Sequence, residues 1–292
     1  MKVGITIPAY ELASGRARSF AEMAEDVVAA EGLGYDSVWV MDHVFIDRDG
    51  RRVLGGPEPI AFLSHVAART ERIELGTLVL CAPFRPPVQL AREARTLQAA
   101  SGGRLILGIG AGWHQPEFDA FGFPFDHLVG RFEEYVEALT RLLAGGPADF
   151  EGRYQVLRKG VAFGDPAPLP WIAASGPRML RLTGRLAGGW NGAWYGPDPA
   201  PFQECLGEVE AALRAAGRKR SELAASAGLL VLPGGDGRPS AITGTPEAIV
   251  EAIGRYRAAG CDHAILNFSP TPFGQGDPGL PGVLAPLLGR LR

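Results

Sequence analysis

The sequence predicts an α/β fold, a single (β/α)8 TIM-type barrel with short insertions, occupying residues 1–292 as one domain. Three observations carry this. Apolar runs of strand length alternate with stretches of helical periodicity from end to end. The alternation occurs eight times within 292 residues, the size range of such a barrel. No linker is long enough to divide the chain, and a doubly wound sheet would more naturally use five to seven strands and reverse direction once.

The elements follow in order. Residues 2–8 (KVGITIP) read as the first strand, ended by Pro8, and 17–33 as a helix with Phe20, Ala24, Val27 and Val28 on one face. Residues 36–41 form the second strand, ending at Met41, and 58–71 a helix. The third strand covers 72–80 and the fourth 104–110, with a helix over 87–100 between them that Gly102-Gly103 closes. A longer amphipathic helix spans 128–144, where Phe132, Tyr135, Val136, Leu139, Leu142 and Leu143 keep helical spacing. A hairpin excursion at 149–157 precedes the fifth strand (170–175) and a helix over 177–187. The sixth strand lies within 188–194, ending near Gly192, and leads to a helix at 199–216. Strand seven covers 223–232, and Thr245-Pro246-Glu247 opens the next helix with an N-cap and a first-turn proline. Strand eight (263–268) and a helix at 280–291 complete the series.

Composition narrows the function classes. A formal net charge of −3 argues against nonspecific binding of nucleic acid or of an anionic membrane surface. Cys81, Cys205 and Cys261 show no CxxC spacing and no even-numbered framework, which points to a reducing compartment. No apolar run approaches a membrane span and the first residues lack a signal-peptide core, so the expectation is a soluble cytoplasmic protein.

The stretch 105–118, LILGIGAGWHQPEF, superficially suggests a dinucleotide-binding loop. That fingerprint requires glycine at its sixth position, where Trp113 stands here. It also belongs after the first strand, and Pro116 lies close to where its helix would begin. On a barrel the same stretch sits at the C-terminal end of strand four, on the face where active sites form. Gly108, Gly110 and Gly112 either turn a tight corner there or leave bare backbone beside a flat ligand, with Ala111 among them and Trp113 flanking the mouth.

Two further strand ends carry chemistry. Strand two ends in Asp42-His43, which could be an interior ion pair or a catalytic couple. Strand five ends in Ser175-Gly176-Pro177-Arg178. Gly176 as N-cap and Pro177 at the first helical position leave the amides of Arg178 and Met179 free beside the Ser175 hydroxyl, a helix N-terminus able to hold a phosphate. An ordinary capped helix has the same sequence. Arg178, Arg181 and Arg185 share one flank, either a solvated face or further cationic surface.

Taken together, the segments GYDSVWVMDHV, RIELGTLVL, LAREARTLQAASGGRLILGIGAGWHQPEFDAFG, GRFEEYVEAL and ASGPRMLRLTGRLAGGWN, in this order, resemble the luciferase-like monooxygenase superfamily of flavin- and deazaflavin-dependent oxidoreductases. The resemblance implies that Asp42 and His43 face the cofactor ring and that Leu78-Val79, a bulge with a non-proline cis peptide, backs it. It implies that Gly110, Ala111, Gly112 and Trp113 border the cofactor, and that Ser175, Gly176, Pro177 and Arg178 hold its phosphate. It implies coenzyme F-420 as hydride carrier, with FMN and oxygen as the alternative. His43, assisted by Asp42, is the candidate proton donor or acceptor, histidine being the side chain that changes charge near neutral pH. The implied partners are a small-molecule substrate and a reductase supplying reduced cofactor, and the resemblance is compatible with a homodimer.

Departures bear on the substrate. Members that oxidise a sugar phosphate carry glutamate in place of Trp113 and tryptophan in place of Asp47. With Trp113 and Trp194 near the mouth, and Phe84 and Phe123 either beside them or, as the commoner case, in rim packing or the barrel's outer layer, the expected substrate is apolar or aromatic. Two other classes compete. A metal-dependent hydrolase would draw on Asp42, His43, His65, His114 and Glu117, but the first strand lacks an HxH and His65 falls within a helix. A non-catalytic flavin-binding barrel would not need the Asp42-His43 pair.

Overall fold

The computed structural model describes residues 1–8, 16–48, 50–158, 167–235, 240–269, 273 and 279–292. Its barrel strands and following helices are β1 (Lys2–Thr6), α1 (Phe20–Gly32), β2 (Ser37–Val40), α2 (Pro59–Ala67), β3 (Glu74–Thr77, resumed at Leu80–Cys81), α3 (Pro87–Ala100), β4 (Leu105–Ile106, resumed at Gly108–Gly110) and α4 (Leu128–Leu143). The second half comprises β5 (Trp171–Ala173), α5 (Pro177–Leu186), β6 (Gly189–Tyr195), α6 (Ala200–Ala215), β7 (Ala224–Pro233), α7 (Pro246–Ala258), β8 (His263–Asn267) and α8 (Leu280–Leu284).

Each strand pairs in parallel with the next, and β8 pairs with β1. That last pairing closes the sheet, so the predicted eightfold alternation is a barrel. Buried branched and aromatic side chains fill the space between strands and helices, among them Val27 on α1, Leu63 on α2, Leu90 on α3, Leu139 on α4 and Phe202 on α6.

Several boundaries differ from the sequence reading. Strand three is interrupted at Leu78-Val79, whose peptide is cis, and strand four at Leu107. The predicted helix 58–71 ends at Ala67. The last helix is divided: α8 gives way at Ala285 to a tighter 3-10 turn, where Pro286 has no N–H to continue the ladder. The sequence reading did not anticipate the hairpin Phe45–Arg48/Arg51–Leu54, the helix Gln115–Phe121 or the strand Ile242–Gly244. Pro116 lies in the first turn of the helix Gln115–Phe121, a position where a missing N–H costs nothing, so it does not argue against a helix there.

Beneath the C-terminal mouth the barrel is plugged by Trp39, Leu78, Ile106 and Ile265, with Trp171 packed against them. His263 lies among these rings, 5.5 Å from Trp39 and 5.9 Å from Trp171, in edge-on contacts. Its Nε2 is 2.7 Å from Ser37 Oγ, which itself accepts the Trp39 indole N–H at 2.7 Å. Ser37 and the imidazole thus share one hydrogen bond whose donor is set by the imidazole tautomer. Burial pushes the His263 imidazole down to about 3, with Lys2 and the N-terminal amine acting in the same direction.

The folded state thus refuses a proton that the unfolded chain accepts. This leaves stability unaffected above about pH 6.5 and erodes it as pH falls from there toward 3. In chemical denaturation, the stability loss from pH 7.5 to 5 should be about 2 kcal/mol larger for the wild type than for His263→Gln. Equal losses would exclude His263 as the source.

Candidate active site

A cavity of about 500 Å³ opens at the C-terminal ends of the strands. It brings together Asp42 and His43 after β2, Leu78 and Val79 inside β3, Gly110 to Trp113 at the end of β4, and Ser175 and Gly176 after β5. Met41, Ala173, Asn191 and Ala193 complete its deeper wall, with Trp194 and Phe273 beside them. Two peptides bordering it are cis, Leu78–Val79 and Ala193–Trp194; the second had no signal in the sequence.

The glycines of strand four answer mainly to packing. A Cβ on Gly108 would stand 2.0 Å from the Thr77 carbonyl oxygen, and one on Gly110 would stand 2.8 Å from Val79 Cγ2. Gly112 has φ +84°, and a Cβ there would meet Phe118 Cζ at 2.4 Å. Barrel closure and the turn explain why these positions are glycine, while Gly110 and Gly112 still present backbone to the cavity.

The neighbours Asp42 and His43 take different partners. The Asp42 carboxylate is gripped in two-pronged fashion by Arg85 at 2.6 and 3.1 Å and accepts the Cys81 N–H at 2.8 Å. Burial is the strongest influence on this carboxyl and pushes it above the ordinary range, opposed by Arg85 and the amide. His43 Nδ1 lies 2.8 Å from Glu117 Oε2. Glu117 is 1% exposed, and its Oε1 accepts the backbone N–H groups of Val44 (2.7 Å) and Phe45 (3.2 Å). Burial opposes ionisation, but His43 and the two amides outweigh it and hold this carboxyl below its usual value. The histidine is therefore buttressed by Glu117, in the first turn of the helix Gln115–Phe121, rather than by Asp42.

The rest of the imidazole meets aromatic surface. Trp113 is 5.5 Å away and Phe273 5.0 Å, both edge-on, and these two rings stack on each other at 5.6 Å. Trp113 remains 57% exposed, so it flanks the mouth as expected, and Trp194 lines the cavity. Phe84 and Phe123 do not reach it. They pack together at 5.0 Å and line a separate cleft of about 410 Å³ with Tyr135 and Arg131.

At the end of β5 the helix begins as the sequence implied. Gly176 is the N-cap in extended conformation (φ −86°, ψ 151°), Pro177 opens α5, and no side chain caps the first turn. Ser175 and Gly176 line the cavity; Pro177 and Arg178 do not. The Arg178 guanidinium turns outward to Glu133, through Nε at 2.9 Å and a short second contact, and Arg185 pairs with Glu137. Of the residues the rival metal-site reading draws on, His43, His114 and Glu117 lie together, and the other two do not join them. His65 is exposed against Phe20, and Asp42 is committed to Arg85. Asp47 sits on the hairpin, paired with Arg52.

Comparison with known proteins finds relatives of both sequence and fold. A curated relative from Nakamurella multipartita, named F420-dependent glucose-6-phosphate dehydrogenase, is 35% identical over 211 residues, covering 70% of this chain and 61% of the relative. A relative of the same name from Kineococcus radiotolerans is 35% identical over 65% of this chain and 56% of its own length. The matched region thus spans less than two thirds of these relatives. Among solved structures, the monooxygenase RslO1 from Streptomyces bottropensis superposes with a TM-score of 0.80 at 25% identity, covering 99% of this chain and 98% of that one. An F420-dependent secondary alcohol dehydrogenase in complex with an F420-acetone adduct gives a TM-score of 0.83 at 18% identity, over 100% of this chain and 99% of that one, a likeness of fold. The model for the luciferase-like monooxygenase family matches residues 1–237, and the chain belongs to that family.

Proposed function

We propose that this chain is an oxidoreductase, one domain over 1–292, that uses coenzyme F-420 for hydride transfer to or from a small apolar or aromatic substrate. The observation carrying the reading is His43, held through Nδ1 by the buried Glu117 carboxylate at the edge of an aromatic-walled cavity. Glu117 accepting the Nδ1 proton leaves Nε2 as the nitrogen available to a substrate hydroxyl or carbonyl. Asp42 acts on the backbone of the site through Cys81 and Arg85 rather than on the proton.

The residues present fit a flat, phosphate-bearing cofactor. Leu78, Val79, Gly110 and Ala111 offer apolar and backbone surface, and the uncapped first turn of α5 beside Ser175 offers free N–H groups to an anion. When bound, the deazaflavin would supply the hydride chemistry. Around it the chain's own residues position the substrate, shield it with Trp113, Trp194 and Phe273, and hold the proton at His43.

The substrate assignment departs from the sugar phosphate in the relatives' name. Among the described residues lining the cavity there is no lysine or arginine to meet a substrate phosphate, and aromatic rings occupy the mouth. The same reading includes a homodimer in the cytoplasm and, for the FMN alternative, a reductase partner. Among the described residues no helix is long and apolar enough to cross a membrane.

Separate fluorescence titrations with F-420 and FMN test this. F-420 should bind at least about tenfold more tightly, a difference of about 1.4 kcal/mol. Tighter binding of FMN would favour a monooxygenase using reduced flavin and oxygen, the alternative that the likeness to RslO1 supports. Binding without turnover on any alcohol, aldehyde or ketone panel would favour a non-catalytic barrel.

A further inference from the structure

The cleft lined by Phe84 and Phe123 takes no part in the chemistry above. It is bounded by the turn from β3 into α3, the loop ahead of α4 and α4 itself, with Gln155 from the hairpin before β5. Its volume of about 410 Å³ falls within the range of small-molecule pockets, roughly 300–1,000 Å³. The cleft and the active-site cavity stand back to back. Cys81 lines the cavity and Ala82 the cleft, and Phe118 of the cavity meets Phe84 of the cleft at 5.7 Å. Arg85 lines the cleft while gripping Asp42 in the cavity wall. A guest in the cleft therefore does not occupy the active site.

The lining specifies the guest. Phe84, Phe123 and Phe132, with Pro83, Pro87 and Pro124, supply flat apolar surface that suits another ring in offset or edge-on contact. Both cations of the lining are already matched, Arg85 by Asp42 and, at 3.4 Å, by Glu58, and Arg131 by Asp126 at 3.0 Å. A charged guest would lose its hydration there without an unpaired countercharge to replace it, so a neutral one is favoured. Tyr135 is the most buried polar side chain of the lining, at 4% exposure, and its hydroxyl has no hydrogen-bond partner among the described residues. A buried hydroxyl so left is uncommon in a native interior, and an oxygen on the guest would satisfy it.

We infer that this cleft is a second ligand site, for an uncharged aromatic molecule carrying one oxygen acceptor, such as an aryl ketone. Its ring lies against Phe84 and Phe123, and its oxygen takes the Tyr135 hydroxyl proton. The inference goes beyond the proposed function and requires no coenzyme.

Titration of the purified protein with para-fluoroacetophenone, followed by fluorine NMR, tests it. Phe123→Ala should weaken binding by about tenfold or more, the loss of one wall of the site. Tyr135→Phe should weaken it about three- to tenfold while leaving fluorobenzene, which has no oxygen, unaffected. Para-fluorobenzoate, of nearly the same shape but charged, should bind about tenfold more weakly than the ketone. Trp113→Ala, at the other cavity, should change ketone affinity by less than about twofold. Should circular dichroism show that Phe123→Ala does not fold, Phe84→Ala carries the same expectation. Affinity that falls in Trp113→Ala and not in Phe123→Ala would place the ketone in the active-site cavity and overturn the inference, as would tighter binding of the benzoate or no binding at millimolar concentration. Dissociation of an oligomer in Phe123→Ala, with no ketone bound by the wild type, would assign the cleft to a second copy of the chain and overturn it equally. None of these outcomes touches the proposed function, which the coenzyme titrations test.

Discussion

His43→Asn is expected to lower turnover by about a hundredfold while leaving cofactor affinity within a few-fold, the usual scale for losing one general acid or base. The asparagine NH2 group can still donate one hydrogen bond to Glu117, so the wall of the cavity should keep its shape. It cannot exchange a proton with the substrate. The affinity is spared because the cofactor's phosphate and the back of its ring are assigned to residues at the ends of β3, β4 and β5 rather than to His43. Glu117→Gln should act in the same direction with about a tenfold loss. One carboxamide oxygen can continue to accept the Val44 and Phe45 amides, which turns the NH2 group toward Nδ1 and selects the wrong imidazole tautomer. Turnover unchanged in His43→Asn would reduce the histidine to a packing residue among Trp113, His114 and Phe273.

Gly176→Asp is expected to abolish cofactor binding in a folded protein, with affinity down by about a hundredfold or more. Sterically the substitution is open, since a Cβ at Gly176 meets no heavy atom within 4 Å. The backbone is already extended, and aspartate is a better N-cap than glycine, so α5 should gain rather than lose stability. The new carboxylate would occupy the first-turn N–H groups and oppose a phosphate at the position where α5 would otherwise attract one. Ser175→Ala should be milder, roughly tenfold, the effect of one charge-assisted hydrogen bond. Equal affinities for wild type and Gly176→Asp in the same titration would place the phosphate elsewhere. Melting temperature separates the outcomes: loss of binding with an unchanged or higher Tm is the expected signature.

Much of this was present in the linear order of residues. Strand-length apolar runs alternating with helical stretches set a parallel architecture, because parallel neighbours need a crossover long enough to be a helix. Eight such units in 292 residues set the barrel. The N-caps at Gly176 and Thr245 were readable because capping depends on three or four adjacent residues. The clustering of Asp42, His43, Trp113 and Ser175 followed from the architecture alone, since every strand of a barrel delivers its end to the same face.

What the sequence could not decide were contacts across the barrel. Asp42 and His43 are adjacent, which invites reading them as a couple, yet successive residues leaving a strand point in different directions. One meets Arg85, 43 positions later, and the other meets Glu117, 74 positions later. In the sequence Glu117 reads only as a potential metal ligand, because Pro116 masks the helix that carries it. Phe84 and Phe123, which the sequence leaves open to the mouth or to packing, line a different cleft. Local order and burial pattern determine which elements form and at which end of them a site must lie; which side chains then hold one another is decided by the closure of the sheet, which sets residues far apart in sequence within hydrogen-bonding distance.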